Sequence, residues 1–258
     1  MTASGTKTAG GQGFKSVAGK PCAGERPFRP MRGPSSAPAF IFTMDAVILA
    51  GGKGSRMDDA LPKALVVAHG KPIVAHQLDY LLPQVDHVVL SLGHRAQDVI
   101  DYVKKAYAGK PISCVVEETP LGTGGALKLA LSKSSAEKIL ALNCDDLTDI
   151  DVSHLAKSAE ALICVANPRL PFGLVKDREG YAHFEEKPLM TQHWVSCGWY
   201  MFVRNEIEKL LPDSGSLEYD VFPKLKLRVH KHTGFWQPLN SKKDIAIFEE
   251  KPLPSSLQ

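Results

Sequence analysis

Along the chain, short apolar runs alternate with stretches whose apolar residues recur every three to four positions. Residues 45–50 are, after Asp45, apolar and partly β-branched and run into glycines, which predicts a buried strand feeding a turn. Residues 72–82 carry apolar side chains at helical spacing behind Pro72, a residue suited to the first turn of a helix. The alternation continues as strand 85–90, helix 96–107, strand 112–116, helix 125–131, strand 139–142, helix 154–159 and strand 161–166. Such an order, with short loops, predicts an α/β fold built on a mostly parallel sheet covered on both faces. After Pro168 the rhythm changes. Residues 172–175 and 181–184 predict a hairpin around a turn at 177–180. A strand at 194–203, helical segments at 205–211 and 216–224 and a last helix at 242–249 follow. This half reads as a substrate lobe joined to the sheet, and ligands of open α/β sheets sit beyond the carboxyl ends of the strands.

Residues 1–43 show neither period and are rich in Gly, Pro, Ser, Thr and Ala. Such a segment buries too little apolar surface to offset its chain entropy. It is expected to be a disordered or mis-assigned N-terminal extension, with translation starting at Met44 as one explanation, and the folded domain spans 44–258. Its basic, acid-poor composition also fits a transit peptide, although its Gly and Pro oppose the amphipathic helix such a peptide needs.

The formal net charge is +3. Lys7, Lys15, Lys20, Arg26, Arg29 and Arg32 face Glu25 alone in the extension, so the rest of the chain is slightly acidic. A basic excess confined to a tail argues against nucleic acid as a partner. No apolar run approaches the ~20 residues of a membrane span. Cys22, Cys114, Cys144, Cys164 and Cys197 form no C-x-x-C pair, which speaks against a zinc or redox motif and fits a cytoplasmic protein.

Three stretches carry candidate chemistry. Residues 49–63 read LAGGKGSRMDDALPK, a strand end followed by glycines and then by Arg56 and Lys63. Glycines let backbone N–H groups approach an anion, a guanidinium can fork onto phosphate oxygens, and a lysine adds a point charge. A solvated surface turn would look the same, and the spacing is not that of a Walker loop. Residues 118–127 read ETPLGTGGAL, with glycines at the start of a helix where free N–H groups can face a ligand. Residues 143–146 read NCDD after an apolar strand, and a carboxylate at a strand end suits a hard cation such as Mg²⁺.

Residues 49–63 resemble the signature of the sugar-phosphate nucleotidylyltransferases, LAGG-x-G-[ST]-R followed by P-K. The resemblance extends in order over about 44–250. It implies a Rossmann-like sheet of the nucleotide-diphospho-sugar transferase type. It also implies nucleotide contacts from Leu49, Ala50, Gly51, Gly52, Gly54, Ser55, Gly122, Thr123 and Gly124, and catalytic roles for Arg56, Lys63 and Asp145. Asp145 matches the aspartate of the family's N-G-D and would bind Mg²⁺; Cys144 replaces the glycine. On the sugar side, Glu186 and Lys187 match E-K-P, Gly173 a Y-G turn, Gly198 the glycine of N-A-G, and Glu218 a glutamate before D-x-F-P. The last motif, GFWQPLN, departs from the common W-x-D-x-G. It resembles the G-F-W-Q-P-M-D of cytidylyltransferases, which places Asn240 at a second metal position, with Asp244 as an alternative.

The first half looks like guanylyltransferases for mannose 1-phosphate or manno-heptose 1-phosphate. The implied substrates are therefore a nucleoside triphosphate, GTP favoured, and a hexose or heptose 1-phosphate, giving an NDP-sugar and pyrophosphate. A guanylyltransferase of the same fold acting on a cofactor, and a non-catalytic nucleotide-binding homologue, remain as alternatives, and a homo-oligomer is left open.

Overall fold

The structure, a computed structural model, describes residues 43–52, 54, 57 and 61–257. The expectation for the N-terminal extension therefore lies, but for Thr43, outside the described residues, as do Ser55 and Arg56.

β1 (Met44–Ala50) is apolar on both faces apart from Asp45, whose buried carboxylate accepts from Ser134 Oγ at 2.6 Å. Met44, Ala46 and Ile48 enter one buried cluster and Val47 the other, as the period of two requires. Then come the two-residue strands β2 (Val67–Ala68) and β3 (Lys71–Pro72), α1 (Ile73–Leu81), β4 (His87–Leu92), α2 (Ala96–Ala106), β5 (Ile112–Val116), α3 (Gly122–Leu131) and β6 (Lys138–Asn143). β7 (Asp146–Thr148), α4 (Val152–Ala156) and β8 (Leu162–Ala166) follow. The second half holds the hairpin strands β9 (Leu174–Arg178) and β10 (Tyr181–Glu185), then β11 (Val195–Val203), α5 (Arg204–Ile207), β12 (Arg228–Lys231), β13 (Trp236–Pro238) and α6 (Lys242–Glu249).

Seven strands form the main sheet in the order β12-β8-β11-β6-β1-β4-β5. β11 runs antiparallel to both its neighbours, and the other pairings are parallel. The expected mostly parallel sheet is thus present, with one reversed strand inside it. α1, α2, α4 and α6 bury apolar side chains on one face. α3, α5 and the helical turns after residue 216 cover the other.

Several boundaries differ from the sequence reading. The strand expected at 85–90 lies at His87–Leu92, because Val85 still donates to the Leu81 carbonyl (3.1 Å) in the turn closing α1. The helix expected from 125 begins at Gly122, so the glycines form its first turn. The segment at 205–211 contracts to Arg204–Ile207, and 216–224 splits into two short turns at Leu217–Val221 and Phe222–Lys224. β12 is too polar to be read as a strand and sits at the sheet edge, where charged residues are usual. β7 and β13 are three residues each and exist through pairing with one another.

Candidate active site

β1, β4, β5 and β6 run parallel, so their carboxyl ends share one edge of the sheet. The chain leaves β1 through Gly51, Gly52 and Gly54. Gly54 has φ +62°, and a Cβ there would lie 2.9 Å from that of Lys63, so only glycine lets the turn close on Lys63. Leu49 accepts a backbone bond from Cys144 (3.1 Å), which ties the end of β1 to the turn after β6.

Lys63, Asp145 and Asn240 converge although far apart in sequence. The Lys63 ammonium pairs with Asp145 and lies 3.5 Å from Asn240 Oδ1. β7 and β13 bring this about: Asp146 sits opposite Pro238, and Leu239 N–H donates to the Asp145 carbonyl at 2.8 Å. Leu239 is fully buried and anchors the segment. Asp244, the alternative metal ligand, has another task. Its carboxylate accepts from Asn240 N–H (3.1 Å) and Ser241 Oγ (2.8 Å), while Ser241 Oγ accepts from Asp244 N–H, a reciprocal cap at the start of α6.

The second aspartate of NCDD is a residue that sequence reasoning passed over. Asp146 accepts from Trp236 Nε1 (2.9 Å) and Asn143 Nδ2 (3.1 Å), and Gly198 lies directly against its carboxylate. Burial, and then the neighbouring charge of Asp145, raise its pKa to about 6, against the opposing effect of those two donors. Gly198 has φ +75° in an irregular stretch of β11. The available signal was a tryptophan in GFWQPLN, whose ring N–H needs an acceptor once enclosed.

On the other side of β1, Glu117 joins the two glycine stretches. It packs against Gly51, and its Oε2 accepts from Leu121 N–H at 2.9 Å. Glu117 was not singled out from sequence, although it directly precedes the ETPLGTGG stretch. A cavity of about 200 Å³ opens here, lined by Gly51, Gly93, His94, Glu117 and Pro120. A larger cavity, about 530 Å³, lies between the end of α2 and the start of β5, at the opposite end of that strand from Glu117, and shares no residue with the site.

The second glycine stretch is less open than expected. Gly124 N–H is already bonded to the Gly215 carbonyl (2.8 Å), and a Cβ on Gly122 (φ +72°) would collide with the same carbonyl. Thr123 Oγ1 donates to Glu218 (3.0 Å) and accepts from Leu217 N–H (2.8 Å). Glu218, assigned to the sugar side by resemblance, thus contacts Thr123, assigned to the nucleotide.

Glu186 and Lys187 form an ion pair of 2.9 Å just beyond β10. Gly173 lies against the Phe184 ring, and a Cβ there would be 3.3 Å from Glu186 Oε2. Lys187 is left-handed, φ +43°, immediately before Pro188. L-residues avoid that region, and a strained backbone of this kind costs on the order of 1–3 kcal/mol.

Asp145 and Asn240 present a carboxylate and a carbonyl oxygen to one cation, the Lys63 ammonium. That all-oxygen donor set fits a hard divalent ion such as Mg²⁺. Among the described residues no three His, Cys, Asp or Glu side chains gather to hold a metal alone. Mg²⁺ commonly takes one or two protein ligands and completes its shell with substrate phosphates and water. Among the described residues no helix is long and apolar enough to cross a membrane.

Known proteins resemble this chain in sequence and in fold. The chain is 31% identical over 228 residues to a probable mannose-1-phosphate guanylyltransferase of Arabidopsis thaliana, covering 78% of this chain and 63%, under two thirds, of that relative. It is 30% identical over 195 residues to the D-glycero-α-D-manno-heptose 1-phosphate guanylyltransferase of Aneurinibacillus thermoaerophilus, covering 70% of this chain and 84% of that one. The crystal structure of HddC from Yersinia pseudotuberculosis, complexed with GMP-PN, superposes with a TM-score of 0.65 at 27% identity over 80% of this chain and 98% of that one. The model of the MobA-like NTP transferase domain matches residues 46–215, a stretch that holds the glycine turn, Lys63, Asp145 and the β9–β10 hairpin. By that match, and by the fold around it, the chain belongs to the MobA-like NTP transferase domain family.

Proposed function

We propose that the chain transfers a nucleotidyl group from a nucleoside triphosphate, GTP favoured, to a hexose or heptose 1-phosphate, releasing pyrophosphate. The observation that carries this reading is the convergence of Lys63, Asp145 and Asn240 beside the glycine turn that ends β1. The likeness to guanylyltransferases for mannose 1-phosphate and manno-heptose 1-phosphate supports both the donor and the acceptor class.

An acceptor phosphate oxygen attacks the α-phosphorus in line. The bond from that phosphorus to the bridging oxygen breaks, and pyrophosphate departs. A phosphate monoester is largely anionic near neutral pH, so no side chain has to remove a proton. Positioning and charge neutralisation then supply most of the rate. The Lys63 ammonium neutralises charge on the triphosphate. Backbone N–H groups of the turn at Gly51, Gly52 and Gly54 face its phosphates, and the base occupies the cavity at Gly93 and Glu117. Lys187 orients the acceptor phosphate, and Glu186 holds sugar hydroxyls. Arg56, outside the described residues, is assigned to the triphosphate on its sequence position alone. Asp145 and Asn240 would hold Mg²⁺, which when bound clamps the phosphates and offsets their charge.

The test is a matrix of the four ribonucleoside triphosphates against sugar 1-phosphates, with and without Mg²⁺, read by pyrophosphate release. The expected result is Mg²⁺-dependent release, highest with GTP and a manno-configured acceptor. Release in the absence of any acceptor would defeat the transfer reading. A nucleotide-binding homologue without turnover is the second reading, favoured by the uncharged Asn240 beside Lys63; it requires GTP binding with no release from any pair.

A further inference from the structure

We propose that Arg169 is a positioning residue for the acceptor: its guanidinium holds the Lys187 backbone in its left-handed conformation and so aims the Lys187 ammonium. The inference rests on the reading of Lys187 as the acceptor-phosphate group.

In an extended chain, neighbouring side chains point to opposite faces. Glu186 and Lys187 nevertheless meet at 2.9 Å, beside Gly173. The turn at Lys187, φ +43°, brings them to one side. Nothing local favours that conformation, because Lys187 has a Cβ and precedes Pro188, and the residue before proline prefers extended backbone. The surroundings must hold it. Two backbone bonds clamp the flanks: Leu170 N–H donates to the Pro188 carbonyl (3.1 Å) and Met190 N–H to the Pro168 carbonyl (2.9 Å). Asn167 Nδ2 donates to the His193 carbonyl (2.7 Å) further along. The Lys187 carbonyl itself receives Arg169 Nη1 at 3.0 Å. Arg169 also bridges Leu189 through its backbone, so the arginine is fixed at both ends of its reach. A strained residue that carries a charged side chain into a candidate substrate lobe is a reasonable mark of function.

The test compares wild type, Arg169→Ala, Arg169→Lys, Lys187→Ala and the Arg169→Ala/Lys187→Ala double variant, with KM measured for GTP and for the sugar 1-phosphate. Arg169→Ala should raise the acceptor KM about tenfold, the scale of one charge-assisted contact, with kcat and the GTP KM little changed. In the Lys187→Ala background the same change should add nothing, since a residue acting only through Lys187 has nothing left to aim. Arg169→Lys should recover part of the loss. Additive losses in the double variant, or an equal rise in the GTP KM, would overturn the proposal.

Amide hydrogen exchange reads the same claim without turnover, so failure of the reaction reading is distinguishable. Arg169→Ala should speed exchange at Leu170 and Met190. Adding Lys187→Gly should restore protection, because glycine adopts the left-handed backbone without support. Unchanged exchange at both amides in Arg169→Ala would refute the positioning role whatever the substrate.

Discussion

Replacing Gly198 by alanine tests how tightly the acidic strand end is built. Gly198 sits at φ +75°, where an L-residue pays roughly 1–2 kcal/mol. The added Cβ would also collide with the Asp146 carboxylate and lie 2.7 Å from Asn143 Nδ2. The backbone has little room to retreat, because the adjacent Trp199 is paired with Leu142 of β6 and Ser196 with Val165 of β8. Asp146 must therefore move and break its bond to Asn143 (3.1 Å), a charged hydrogen bond worth about 1.5–3 kcal/mol. The combined loss is about 2.5–5 kcal/mol, a large share of the ~5–15 kcal/mol that holds most domains folded. Gly180→Ala supplies the control: its φ is +85° but nothing lies within 4 Å of the added Cβ, so only the backbone cost of about 1–2 kcal/mol applies. Urea unfolding of both variants at equal m gives the comparison. Pyrophosphate release should fall in Gly198→Ala as well, since Asp145 follows its neighbour. A Gly198→Ala loss within about 0.5 kcal/mol of the Gly180→Ala loss would refute the collision argument.

Three further outcomes follow from the site and the core. Asp145→Asn should lower kcat on the order of a hundredfold or more while the urea midpoint is nearly kept; a kcat within about threefold of wild type would remove Asp145 from the metal. Asn240→Asp puts a second carboxylate beside the Lys63 ammonium and should lower the Mg²⁺ concentration for half-maximal rate, because ligand charge tunes the affinity of hard cations; an unchanged Mg²⁺ curve would take Asn240 out of the site. His76 is buried, its Nε2 bonded to the Ala68 carbonyl (2.8 Å) and its Nδ1 without a partner, and burial lowers its pKa. The unfolded chain then binds the extra proton first, so stability is full above about pH 6.5 and declines as pH falls below it. His76→Gln should flatten that part of the stability curve, and an identical slope in the variant would refute the assignment.

The sequence by itself determined the alternating order, the mostly parallel sheet and the glycine turn after β1, because strands buried on both faces read as short apolar runs and amphipathic helices as a period. α6 and β5 lie where their patterns put them, at Lys242–Glu249 and Ile112–Val116. It also marked Lys63, Asp145 and Asn240, but as members of separate motifs. Only the tertiary structure decided that the three meet. Their meeting depends on β7 and β13, three-residue strands that carry no period and are held by one another and by Leu239. Tertiary structure likewise assigned Asp244 to the cap of α6, made Asp146 the acceptor of a tryptophan, and placed Glu117 between two glycine stretches. In each case the side chain's partner is distant along the chain, and a one-dimensional pattern records only whether a position is buried, not what it is buried against.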